Sequence, residues 1–192
     1  MALYGSSVEY GLHCLLYLVD ASEDACPSAR DLAEFQGVSP TYVAKVFTAL
    51  EKADLVRSAE GVRGGFKLAR PADAISVFDV VQALEGRKPL FQCKNVREKC
   101  VLFEGSPPDW ATTGTCQIHA VMLDAEKAML DNLKGVTLAD ITADVAKKIP
   151  ATKFEQTDAW FHDRQATRRR SVRINDKTSQ PKTSQTKEGE TP

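Results

Sequence analysis

Apolar residues recur at every third or fourth position in several stretches of this 192-residue chain, and that spacing predicts amphipathic helices. The first stretch covers residues 6–21 and the second covers residues 29–35. Ser39 followed by Pro40 predicts the start of a third helix, which runs to about Ala53. Two helices joined by a turn this short indicate a helix-turn-helix.

Residues 57–70 follow a different pattern, because two short apolar runs flank a turn that carries Arg63. Gly61, Gly64 and Gly65 allow backbone angles that a residue with a Cβ would resist, so the pattern predicts a tight β-hairpin. A hairpin directly after a helix-turn-helix makes a winged helix. Its cationic tip suits contact with the backbone or a groove of a nucleic acid.

The second half of the chain is predicted to be mostly helical. A helix over residues 76–85 precedes a loop over residues 87–115, and a long helix spans residues 116–134. The long helix has two apolar strips, which indicates two partners, one of them a second subunit; burial of both strips within the same chain is the alternative. Thr137 caps a further helix to about Lys148.

Composition and charge add three expectations. Residues 39–70 carry six Lys or Arg against three acids, although the formal net charge of the chain is only −1. No segment has the ~18–20 consecutive apolar residues of a membrane span, and the N-terminus lacks the features of a signal peptide. We therefore expect a cytoplasmic protein with no membrane partner. Residues 150–192 are predicted to be a disordered tail with a basic cluster at Arg168-Arg169-Arg170.

The third predicted helix separates a buried apolar stripe from a polar face. A polar face that only contacts solvent would have the same pattern. The wing that follows is the observation that favours contact with DNA. Lys45 and Lys52 are suited to neutralising phosphates, whereas Arg63 would reach the minor groove. The residues expected to contact DNA are Ser39, Thr41, Tyr42, Lys45, Thr48 and Lys52 on the helix, with Arg63 and Lys67 on the wing.

Five cysteines in a reducing compartment are expected to be thiols or metal ligands. Cys93, Cys100, Cys116 and His119 have the spacing Cys-x6-Cys-x15-Cys-x2-His, and thiolates with imidazole hold iron–sulfur clusters or zinc. The spacing does not match a zinc finger. The alternative is three unrelated cysteines and a surface histidine. A thiolate at Cys116 would also gain from the positive end of the long helix.

Glu9 and His13 are four positions apart on the first predicted helix and so share a face. A structural pair is the favoured interpretation, and a role as alternate cluster ligands is the other. Enzyme signatures are absent from the sequence: there is no phosphate-binding G-x-x-x-x-G-K loop, nucleophile elbow or His-Glu-x-x-His motif. We therefore expect a protein that is not an enzyme.

Several stretches in order over residues 3–145 resemble the Rrf2 family of winged-helix transcription regulators. The stretches are Tyr10-Gly11-Leu12, Ser39-Pro40-Thr41-Tyr42-Val43, Gly61-Val62-Arg63-Gly64-Gly65-Phe66-Lys67-Leu68-Ala69, Ile75-Ser76-Val77 and Thr137-Leu138-Ala139-Asp140-Ile141. The resemblance implies a mainly α fold with a small β-wing, a long dimerisation helix, and a homodimer that binds double-stranded DNA at a near-palindromic operator.

The resemblance also implies an iron–sulfur cluster, with [2Fe-2S] favoured over [4Fe-4S], held by the three cysteines and His119. Other members use an acidic residue or histidine of the first helix, which keeps Glu9 and His13 as alternates. The gap between Cys100 and Cys116 is longer than is usual in the family, and a loop absorbs such length cheaply. The implied organisation is a DNA-binding domain over 1–86, a cluster-binding loop over 87–116, and dimerisation and final helices over 117–149.

The function expected from these observations is a repressor whose operator binding responds to iron, redox state or nitric oxide through the cluster. A cluster-free winged-helix regulator that responds to a metabolite, thiol oxidation or a protein partner is the alternative. An iron–sulfur or zinc electron-transfer protein is a remote one.

Overall fold

The computed structural model describes residues 2–19, 21, 26–59 and 64–178, with side chains up to residue 168. The fold is mainly α-helical with one two-stranded antiparallel sheet, which confirms the predicted fold class. The elements are α1 (Ser6–Val19), α2 (Ala29–Gln36), α3 (Pro40–Lys52), β1 (Val56–Ala59), β2 (Gly65–Leu68), α4 (Val77–Glu85), α5 (Asp109–Thr112), α6 (Gln117–Gly135), α7 (Leu138–Ala146) and α8 (Ala151–Thr178). Short 3₁₀ helices cover Ala72–Ala74, Val96–Lys99 and Val101–Phe103.

Three helices begin at the same local signal, a serine or threonine followed three residues later by aspartate. Ser28, Ser76 and Thr137 each accept a hydrogen bond from that aspartate's backbone N–H. The aspartate carboxylate accepts one in return from the N-cap backbone, which completes a capping box. These caps fix where α2, α4 and α7 start.

The hydrophobic core lies between α1, α2, α3, α4 and α7. The α3 residues Val43, Val46, Phe47 and Leu50 are buried, as the apolar stripe predicted. Leu138 of α7 is also completely buried. Backbone hydrogen bonds from Val77 N–H to Val136 O and from Leu138 N–H to Ile75 O join the starts of α4 and α7.

The wing pairs β1 with β2 in a register that sets Val56 opposite Leu68 and Ala59 opposite Gly65. The tip-side half of β2 is tied to the loop before α2, because Phe66 N–H donates to Pro27 O at 2.9 Å. The wing tip, residues 60–63, lies outside the described residues. We call residues 6–86 the head.

The prediction of a disordered tail from residue 150 onward is wrong for Ala151–Thr178, which form the long helix α8. Two of its aromatic residues pack on the head. Phe161 is buried, with its ring centroid 5.0 Å from that of Phe35, and Trp160 lies at the same distance from Phe35. These contacts give an otherwise polar helix an apolar anchor on the head. The rest of the predicted tail, residues 179–192, lies outside the described residues.

Residues 87–116, which we call the cysteine segment, are mostly loop with two short 3₁₀ helices and the single turn α5. The segment closes on itself. Arg97 donates to Trp110 O at 3.2 Å and to Thr113 O at 2.8 Å, and the rings of Phe103 and Trp110 meet edge to face. Within the described part of the chain, no helix combines the length and apolar character needed to cross a membrane.

Candidate nucleic-acid interface and cysteine segment

Helices α2 and α3 form the helix-turn-helix. Gly37 ends α2 in the left-handed conformation, with φ of 68°, and its N–H donates to Glu34 O at 3.2 Å. Glycine suits this position because a Cβ is strained there. The turn allows Pro40 to start α3 after Ser39, whose side chain makes no capping hydrogen bond.

The face of α3 opposite the core is exposed and polar, as predicted. Thr41, Lys45 and Lys52 are exposed, and Thr48 is exposed with its hydroxyl donating to Ala44 O at 2.9 Å. Ser39 is exposed at the start of the same helix. The first turn of α3 contains no acidic residue, so its positive backbone end faces solvent without a compensating carboxylate on the helix.

Tyr42 differs from the other predicted contacts because it is half-buried against α1. Its ring meets that of Tyr10 edge to face at 5.6 Å, and its hydroxyl lies 3.4 Å from Ser6 Oγ. These contacts hold Tyr42 at the junction of α1 and α3, where it limits the side of α3 left open to a ligand.

Two cations stand opposite each other on the wing, since the register pairs Arg57 of β1 with Lys67 of β2. Arg57 is exposed, although it is not among the predicted DNA contacts. Its position opposite Lys67 could have been predicted from the alternation of side chains along the two strands. Arg63 lies outside the described residues.

The four predicted metal ligands are not brought together in one chain. Cys93 lies beside Asn95, with Sγ 3.5 Å from Oδ1, and Cys100 is exposed between two 3₁₀ helices. No group of three or more His, Cys, Asp or Glu among the described residues is arranged to hold a metal ion. An iron–sulfur cluster therefore does not fit this arrangement, and the assignment of Cys93, Cys100, Cys116 and His119 as ligands stays a prediction.

Cys116 occupies the N-cap of α6, where it is only partly buried. The backbone N–H groups of His119 and Ile118, in the first turn of α6, lower the pKa of its thiol, and the nearby Arg97 guanidinium lowers the pKa further. Cys14 is the opposite case, because burial raises the pKa of its thiol to about 12. Among these two thiols, Cys116 is the one suited to react or to ligate.

Glu9 and His13, the alternate ligands, are both exposed on α1. His13 borders a cavity of about 750 Å³ between α1, α7 and α8, whose lining includes Phe154 and Ile149 but no cysteine. His119 instead lies near Phe91, with ring centroids 5.9 Å apart. Within one chain, His13 is thus directed at α8 and His119 at the cysteine segment.

The surface around the cysteine segment and α6 is strongly apolar. Glu126 is the only buried residue of α6, where its carboxylate accepts from Leu90 N–H at 3.0 Å. The exposed large apolar residues here are Leu90, Val96, Val101, Leu102, Trp110, Ile118, Val121 and Leu123. Exposed apolar side chains in such number are typical of a surface that binds another protein.

Comparisons with known proteins agree with this architecture. A family model described as an iron-dependent transcriptional regulator matches residues 4–144. The protein named Rrf2 of Nitratidesulfovibrio vulgaris is 33% identical over 137 residues, covering 71% of this chain and 85% of the relative.

Two solved structures are similar across most of the chain. IscR of T. potens has a TM-score of 0.59 at 25% identity, covering 78% of this chain and 93% of that one. CymR of Staphylococcus aureus has a TM-score of 0.52 at 25% identity, covering 72% and 96%.

Proposed function

The chain belongs to the Rrf2 family of transcriptional regulators, and on that premise we propose that it is a repressor that binds a near-palindromic operator as a homodimer. The observation that carries the proposal is the exposed polar face of α3 beside a two-stranded cationic wing. Recognition helices enter the major groove in this arrangement, and wings contact the adjacent backbone or minor groove.

The roles of individual side chains follow from their positions. Thr41 lies in the first turn of α3, where a side chain reaches base edges. Lys45 and Lys52 are further along the exposed face and are suited to phosphates. Arg63, at the wing tip in the sequence, is proposed as the minor-groove contact.

A second copy of the chain is the proposed partner of α6. The helix buries only Glu126 within its own chain, while Ile118 is 70% exposed and Val121 is 57% exposed. Val121 lies away from Lys127 and Asp131, which form an ion pair on the charged side of the helix. Val121→Glu should dissociate the dimer in sedimentation velocity, whereas Lys127→Gln should leave it intact.

The cysteine segment is the proposed sensor, since it adjoins the surface of α6 assigned to dimerisation. The lowered pKa of Cys116 favours thiol chemistry. Its thiolate would attack a hydroperoxide oxygen, forming an S–O bond as the O–O bond breaks, so that the thiol becomes a sulfenic acid and the peroxide is reduced to water or an alcohol. The cluster implied by the family resemblance is the rival, and it requires residues 93–119 to rearrange so that the three cysteines converge, with His119, Glu9 or His13 as the further ligand.

Selection of duplexes from a random library by the wild-type protein tests DNA binding directly. Lys45→Ala should weaken binding of the selected duplex by ~1–3 kcal/mol and reduce the slope of log K against log salt by about 1. Lys127→Ala, on α6, serves as the control and should change neither quantity. Failure of the wild-type protein to enrich any duplex would contradict the proposed function.

An absorption spectrum with iron and sulfide assays on anaerobically purified protein separates the two sensing chemistries. Charge-transfer bands that disappear in Cys116→Ala would establish a cluster held by that residue. A colourless, iron-free wild type whose operator affinity changes on peroxide treatment, with Cys116→Ala unresponsive, would establish thiol sensing.

A further inference from the structure

Helix α8 runs antiparallel along α2. Trp160 packs on Phe35 near the end of α2, and four residues later Arg164 forms an ion pair with Glu34. A further turn along α8, Arg168 forms an ion pair with Asp31 near the start of α2, at 3.2 Å. These contacts recur every four residues on α8, so its side chains reach α2 from Phe35 to Asp31.

Arg168 is placed where three segments meet. Its guanidinium donates to the carbonyl oxygen of Gly64, which directly precedes β2 at the tip end of the wing, at 2.6 Å. It also donates to the carbonyl oxygen of Cys26, in the loop before α2, at 2.9 Å. The third partner is the Asp31 carboxylate on α2 itself. A planar guanidinium can satisfy all three at once, which a lysine ammonium cannot do in the same geometry.

The junction beneath Arg168 is tightly packed. Besides the hydrogen bond from Phe66 to Pro27, a Cβ added at Gly65 would lie 2.1 Å from Cys26 O, so the two backbones are in direct contact. Asp31 is 5% exposed and its carboxylate also completes the capping box of α2. A buried carboxylate needs a cationic or hydrogen-bonding partner, and Arg168 supplies one.

We propose that Arg168 is a positioning residue for the wing, and that α8 is the strut that carries it. By joining Gly64 to Cys26 and Asp31, Arg168 holds the start of β2 against the head. A hairpin held in advance loses less conformational freedom when it binds a ligand. Because α8 begins beyond residues 4–144, the strut is an addition to the region that defines the family. The effect of Arg168 on DNA binding rests on the proposed function, whereas its effect on the position of the wing does not.

Hydrogen exchange without DNA tests the geometry on the full chain. We call the contacts of Arg168 with Gly64, Cys26 and Asp31 the clamp. In Arg168→Gln, the Phe66 amide should exchange about tenfold faster, because its hydrogen bond to Pro27 loses the support of the clamp. Arg168→Lys keeps the charge beside Asp31 but not the forked geometry, so the Phe66 amide should exchange faster in this variant as well. Arg164→Gln, which removes the ion pair further from the wing, is the matched control and should leave Phe66 protected. Unchanged exchange at Phe66 in both Arg168 variants would overturn the clamp.

A double-mutant cycle on the duplex selected by the wild type tests the consequence. Arg168→Gln should weaken binding about tenfold. If Arg168 acts through the wing, Arg63→Ala should cost much less in the Arg168→Gln background than in the wild type. Additive losses would show that Arg168 stabilises the fold without positioning the wing. If the wild type selects no duplex, the proposed function fails, and the exchange of Phe66 still decides whether the clamp exists.

Discussion

The head buries its apolar side chains in one core, whereas the cysteine segment leaves most of its apolar side chains on the surface. Phe47 and Leu50 of the head are completely buried, but Val101 and Leu102 of the cysteine segment are 85% and 83% exposed. Ala111 is the only fully buried side chain among residues 87–116. The head therefore has what it needs to fold within one chain.

The cysteine segment is held instead by polar contacts to backbone, chiefly those of Arg97 to Trp110 and Thr113. Such contacts define a local shape without excluding water. A segment with little buried apolar surface opens at low cost in free energy, so we expect the cysteine segment to open more readily than the head.

The sharpest way to break this comparison is to remove one large apolar side chain from each region. Phe47→Ala should lower the free energy of unfolding by about 3–5 kcal/mol, because it leaves a cavity in a close-packed core. Leu102→Ala should change it by less than about 0.5 kcal/mol. Urea denaturation followed by circular dichroism at low protein concentration measures both. Equal losses would mean that the two regions share one core.

A second contrast concerns glycine in contact with neighbouring backbone. Gly65→Ala should lower the free energy of unfolding by about 1–3 kcal/mol, since the new methyl group meets the Cys26 carbonyl and the wing has to move. Gly135→Ala, at the end of α6, has open space around it and should be neutral. Thermal unfolding of both variants checks this, and an equally stable Gly65→Ala would contradict the close approach of wing and loop.

A smaller effect is expected from the caps of the head. Ser76→Ala removes the hydroxyl of a capping box and should cost about 1 kcal/mol. Ser39→Ala is the matched control, because the side chain of Ser39 makes no capping hydrogen bond. Denaturant midpoints separate the two. A Ser39→Ala variant as unstable as Ser76→Ala would argue for a structural role of Ser39 rather than contact with DNA.

The cysteine segment is also expected to differ from the head in the reactivity of its thiol. The pKa of Cys116 is lowered in the folded protein, so its thiolate fraction at a given pH is higher than in the unfolded chain. Iodoacetamide alkylation of native Cys116 should therefore reach half its maximal rate at a lower pH than in urea. Cys14, whose pKa is raised to about 12, should stay unmodified in the native protein. A midpoint at or above that of the unfolded chain would exclude Cys116 as an activated thiol.

Local signals in the sequence were sufficient for most of the head. The capping residues Ser28, Ser76 and Thr137 act within a few residues of themselves, and the helix starts they predict are present in the structure. The stripe from Val43 to Leu50 is equally local, since helical geometry alone places its members on one face.

Helix α8 was missed because its stabilising partners are distant in sequence. Trp160 and Phe161 looked isolated in a polar tail, and their contacts with Phe35 depend on tertiary structure. A usable signal was present, namely an aromatic residue followed at four and eight positions by Arg164 and Arg168. The predicted metal ligands pose a different problem, because spacing along a loop does not determine whether thiols converge.

The contact between Arg168 and Cys26 joins residues that are 142 positions apart. During synthesis, the head is complete long before α8 leaves the ribosome. At ~5–20 residues per second, the roughly 100 residues between the wing and Arg168 take several seconds to translate. For that interval the wing of the nascent chain lacks its contacts with Arg168, so a helix made late holds a hairpin made early.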